Sequence, residues 1–162
     1  MFLPFSLPSL PAIGEKRQFP AFTGSADALL IAQTALSMRK DPHRRQRLLA
    51  VLTASAGDAQ RLLDEIPWFA KSLRVRLLPD WETLPYDSFS PHQDLISERL
   101  ATLHAVSRGE CDVLLVPAGT AVYRLAPPAY LAAYTFFFKQ GEKLDAERFR
   151  AQLTLAGYAH VT

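Results

Sequence analysis

Leu48-Leu49-Ala50-Val51-Leu52 and Val113-Leu114-Leu115-Val116 are the two runs that decide the fold. Both are short, wholly apolar and free of polar alternation. Such runs are expected of parallel strands buried on both faces. Leu73-Arg74-Val75-Arg76-Leu77-Leu78 alternates and reads as a strand nearer an edge. A fainter strand is read at residues 18–22. Helical patterns fill the gaps between these runs. Ala26 to Met38 is apolar-rich and lacks Gly and Pro. Ala56 to Ile66 sets Ala59, Leu62, Leu63 and Ile66 on one face, with Ser55 as N-cap and Asp58 in the first turn. Pro67 is expected to stop or kink that helix. A third helix is expected from Ser90, with Pro91 in first position, Gln93 completing a capping box, and Ile96, Leu100 and Leu103 as its buried stripe. Strand, helix, strand, helix, strand, helix, strand is the order of an α/β fold. The expectation is a mostly parallel sheet with flanking helices and right-handed crossovers.

Past Arg124 the character changes. Ala126-Pro127-Pro128 punctuates the chain, and Tyr134-Thr135-Phe136-Phe137-Phe138 looks like a strand. A turn at Gln140-Gly141, a helix from Asp145 to Ala156, a stop at Gly157 and a new strand from Tyr158 follow. This reads as part of a small α+β lobe, incomplete at Thr162. The expected organisation is an N-terminal arm and first strand over 1–22, an α/β domain over 23–123, and the start of a second lobe over 124–162.

Composition supports a packed, mixed chain. It has 162 residues, 49% hydrophobic and 21% charged, with a net charge of +2. That charge is too small to argue for nucleic acid. Cys111 is the single cysteine, so no disulfide forms within the chain, which suits a reducing cytoplasmic setting. No apolar run approaches the ~18–20 residues that span a bilayer. The apolar start, Met1 to Ile13, has three prolines and no basic residue, unlike a signal peptide.

Thr23-Gly24-Ser25-Ala26-Asp27-Ala28 lies between the first expected strand and the first helix. A nucleotide hydrolase of this class keeps its phosphate loop there. Backbone amides cradle phosphate, a lysine neutralises it, and a hydroxyl binds Mg²⁺. Here Asp27 stands where lysine is required and Ala28 where the hydroxyl is required. At ~4 Å and an effective dielectric of ~20, a carboxylate and one phosphate charge repel by about 4 kcal/mol. The alternative is an ordinary strand-to-helix turn, with Thr23 or Ser25 as its cap. Arg39, Lys40, Arg44, Arg45 and Arg47 form a basic cluster, read either as a phosphate-contacting patch or as a solvated helix end. The loop from Asp80 to Asp94 offers Asp80, Glu82, Asp87 and His92 as an acid/base or metal cluster. The other reading is a structural loop pinned by Trp81, Tyr86 and Phe89. His43, His104 and His160 are scattered, and Cys111 reads as packing. No nucleophile elbow, zinc spacing, G-x-G-x-x-G or helicase Asp-Glu carboxylate motif is present.

Leu78-Pro79-Asp80-Trp81-Glu82-Thr83-Leu84-Pro85-Tyr86-Asp87-Ser88-Phe89-Ser90-Pro91-His92-Gln93-Asp94, with Ile96-Ser97-Glu98-Arg99-Leu100, resembles the N-terminal UvrB-like region of the bacterial transcription-repair coupling factors (Mfd). Val113 to Pro117, Lys139 to Glu142 and Ala156-Gly157-Tyr158 extend the likeness. The resemblance implies a UvrB-like module in which the phosphate loop Thr23, Gly24, Ser25, Asp27 and Ala28 has degenerated and binds no cofactor. The Pro79 to Asp94 loop is too short for the damage-probing hairpin of UvrB. The resemblance also implies a noncatalytic adaptor that recruits UvrA through the second lobe. It assigns no UvrA-contact residue, and Lys139, Lys143, Arg148 and Arg150 are bystander candidates. ATP, Mg, RNA polymerase and double-stranded DNA would belong to other domains of the parent translocase. The rival is a UvrB-like helicase fragment that still binds nucleotide or DNA.

Overall fold

The computed structural model describes residues 10–41, 43, 47–83, 88, 90–134, 136, 140–141 and 143–158. The chain divides into two compact units, residues 1–123 and 124–162.

The first unit begins with helix α1 (Ala26–Lys40), followed by β1 (Leu49–Thr53), α2 (Ala56–Phe69), β2 (Val75–Leu77), α3 (Gln93–Ser107), β3 (Val113–Pro117) and the single turn α4 (Ala118–Ala121). The three strands form one parallel sheet in the order β1-β3-β2. Leu49 lies opposite Val113 and Val51 opposite Leu115 on one side of β3. Val75 pairs with Val113 and Leu77 with Leu115 on the other. The α/β expectation is met by this small parallel sheet and its flanking helices.

Alternation along β3 divides the core. Val113 and Leu115 enter a cluster with Ala28, Ala32 and Ala35 of α1 and Ala59, Leu62 and Ile66 of α2. Leu114 and Val116 face the opposite way, toward Leu103 and Val106 of α3. Three alanines at positions i, i+4 and i+7 give α1 a flat face, and α2 packs closely against it. β3 is central and almost wholly buried, as its apolar run requires.

Several local expectations need correction. Residues 18–22 form no strand; they lie exposed, with the rings of Phe19 and Phe22 6.1 Å apart. A strand needs a neighbour's ladder of hydrogen bonds, and the described sheet supplies that segment with none. β1 is not buried on both faces, because it is an edge strand; Ala50 is exposed and Leu52 is 68% exposed. Pro67 lies inside α2 without ending it. A proline near a helix end removes one amide donor only, and buried Ile66 and Ala70 hold the last turn, the Ala70 amide donating to the Ile66 carbonyl at 3.1 Å. α3 starts at Gln93 rather than beside Ser90, because the Nδ1 of His92 accepts the Asp94 amide at 3.3 Å and takes over the capping role. Its fully buried positions are Arg99, Thr102 and Ala105, whereas Ile96, Leu100 and Leu103 are half-buried.

In the second unit, α5 (Pro128–Tyr134) places a helix where the sequence suggested only punctuation, with Pro128 in the first position that suits it. The expected strand at 134–138 therefore begins inside a helix at Tyr134; Thr135, Phe137 and Phe138 lie outside the described residues, as does the strand expected after Tyr158. α6 (Ala146–Leu155) is capped by Asp145, whose carboxylate accepts the amides of Glu147 and Arg148, both at 3.1 Å. Gly157, at φ +87°, ends it. The amides of Gly157 and Tyr158 return to the carbonyls of Thr154 and Leu153, the paired bonds of a Schellman stop. Phe136 meets Phe149 edge-on at 5.4 Å.

Candidate functional site

The turn that opens α1 is the first site to examine. Gly24 adopts φ +59°, a left-handed conformation that favours glycine. Ser25 occupies the N-cap position without a side-chain cap bond. The carboxylate of Asp27 does that work instead, accepting the Ala28 amide at 2.7 Å. Arg61 of α2 then grips the same carboxylate as a fork, Nη2 to Oδ2 at 2.6 Å and Nη1 to Oδ1 at 3.2 Å. Nη1 also reaches Glu65 at 2.9 Å, one turn further along α2. Arg61 holds the Asp27 carboxyl below the usual carboxylate range, with burial opposing the shift and the Ala28 amide supporting it. Ala28 has no exposed surface and its methyl group sits in the core between α1 and α2. A side chain here points into the core rather than toward a ligand above the turn.

A second carboxylate lies at the start of β3. Asp112, 8% exposed, accepts the Arg74 backbone amide at 2.8 Å and the Arg74 guanidinium at 2.8 and 3.1 Å. Arg39, from the end of α1, stands 3.9 Å from it and donates to the Ser72 carbonyl at 2.8 Å. Arg74 lowers the pKa of Asp112 through these bonds, with a smaller contribution from the Arg39 charge. Arg39, the first residue of the basic cluster, is therefore engaged within the fold. Lys40 and Arg47 are exposed, and Arg44 and Arg45 lie outside the described residues.

The third site is beyond the carboxyl ends of the strands, where ligands of open α/β sheets bind. Arg99 is 2% exposed and donates to the Pro79 carbonyl, with its guanidinium 4.1 Å from the centre of the Trp81 ring. Burial lowers its pKa, while Asp80 and Tyr123 act in the opposite direction. Thr102 donates to the Leu77 carbonyl at 3.2 Å. Two polar side chains of α3 thus pin the chain as it leaves β2. Of the four residues singled out in this loop, the three that are described form no common metal-holding group. Asp80 accepts the Trp81 amide at 2.8 Å, Glu82 is exposed at φ +55°, His92 caps α3, and Asp87 lies outside the described residues. Among the described residues no three His, Cys, Asp or Glu side chains cluster in a way that would hold a metal ion. Cys111 is buried and its thiol is pushed up by that burial, its Sγ contacting the Val113 carbonyl at 3.2 Å. His43 is exposed, His104 half-buried, and His160 outside the described residues.

Arg61, Arg99 and Asp112 were not singled out by sequence reasoning. Helical spacing places Arg61 next to a buried stripe and Arg99 within one, but spacing alone does not reveal a partner on another element. The three sites define an α/β module in which charged side chains join elements of the fold to one another. Among the described residues, no helix is long and apolar enough to cross a membrane.

No family model matches the chain. Among curated proteins it is 40% identical over 148 residues to the transcription-repair-coupling factor of Escherichia coli (strain K12), a match covering 91% of this chain and 12% of that protein. It is 40% identical over 139 residues to the factor of Haemophilus influenzae (strain ATCC 51907 / DSM 11121 / KW20 / Rd), covering 84% and 11%. The factor of Mycobacterium bovis (strain ATCC BAA-935 / AF2122/97) is 34% identical over 97 residues, covering 60% and 7%. The chain belongs to the transcription-repair-coupling factor family and spans about one eighth or less of the length of the relatives it matches.

Proposed function

We propose that this chain is a noncatalytic adaptor region of a transcription-repair-coupling factor, acting in the cytoplasm. The parent is an ATP-dependent DNA translocase that removes stalled RNA polymerase and recruits UvrA for nucleotide excision repair. The α/β unit serves as a rigid base, and the second lobe belongs to the surface that meets UvrA. ATP, Mg, RNA polymerase and double-stranded DNA engage other domains of the parent.

The observation that carries this reading is the ion pair at Asp27. A nucleotide-binding turn presents a cation and free amides to phosphate. Here a carboxylate stands in the lysine position, and Arg61 and the Ala28 amide are both turned toward that carboxylate. A triphosphate would have to displace a bidentate ion pair and face the released negative charge. The alternative reading, a DNA-binding patch over Arg39 to Arg47, loses Arg39 to Ser72 and Asp112.

Two measurements test the proposal. Titration calorimetry with Mg-ATP is expected to give no heat of binding; micromolar affinity would overturn the noncatalytic reading. Capture on immobilised UvrA is expected to be stronger for a chain extended through the complete second lobe than for this one. No capture by either would overturn the adaptor reading.

A further inference from the structure

We draw no further inference here: the strongest candidate, the surface patch along the edge strand β1 where Ala50 and Leu52 are left in solvent, carries nothing, because nothing in the structure shows what covers it.

Discussion

The two units of this chain are built on different principles. In residues 1–123 a central strand, β3, carries a core on each face, and Ile66, Val113 and Leu115 are fully buried between sheet and helices. Among the described residues of 124–162 no side chain is fully buried; α6 has its caps, and Phe136 meets the rings of both Phe149 and Tyr158. A cap or an aromatic pair contributes about 1 kcal/mol, whereas a buried Leu side chain contributes about 2–3 kcal/mol by area alone. The first unit therefore has the means to stay rigid, and the second has an exposed face to offer.

The contrast breaks most readily at the centre of the sheet. Leu115→Ala is expected to cost about 3 kcal/mol, read as a fall in the urea midpoint, since Leu115 is completely buried and its cavity is walled by strands and helices that cannot all collapse. Asp112→Ala comes next at about 2 kcal/mol. It removes a nearly buried carboxylate that satisfies the Arg74 amide, while the half-exposed Arg74 side chain recovers solvent and limits the loss. Asp27→Asn is expected to cost about 1 kcal/mol or less, because Arg61 and Asp27 are both partly exposed. The two acids also set a pH dependence. Both have carboxyl pKa values lowered in the folded state, by Arg61 and by Arg74. Their contribution is present above the unfolded carboxylate pKa of about 3.9 and is lost as pH falls through the lower folded values. Stability measured from pH 5 down to about pH 2 should fall less steeply in Asp112→Asn than in the unaltered chain; equal slopes would mean that Arg74 does not hold this carboxylate in solution.

How far the sequence revealed this depends on the kind of force involved. β3 was legible because a continuous apolar run has one economical place, the middle of a sheet. β1 had the same run and a different outcome, since composition does not say which strand lies at the edge, and Leu52 is left in solvent. The cap at Ser55 and the stop at Gly157 were readable because they depend on neighbours in the chain, whereas Asp145, read as the first helical residue, is the cap that precedes it. Arg61 with Asp27 spans 34 residues and Arg74 with Asp112 spans 38, and no local pattern encodes such pairs. At the α1 turn, the sequence disclosed the wrong charge at Asp27 but not the partner that neutralises it. On α3 the hydrophobic stripe misled, because Arg99 and Thr102 face the sheet to satisfy the carbonyls of Pro79 and Leu77.

The smallest expected effect sharpens the comparison from the other side. Both tryptophans of the chain, Trp68 and Trp81, fall in the first unit, so their fluorescence follows that unit's unfolding. Phe149→Ala deletes the edge-on partner of Phe136 in the second. The tryptophan-detected transition is expected to move by less than about 0.5 kcal/mol, within the range of a surface substitution. Amide hydrogen exchange should instead quicken across Ala146–Leu155, because α6 loses an aromatic contact worth about 0.5–1.5 kcal/mol and has few buried groups to replace it. A tryptophan transition that falls with Phe149→Ala as far as with Leu115→Ala would mean that the second unit is needed to hold the first together, and the division into a rigid base and a separate recognition lobe would fail.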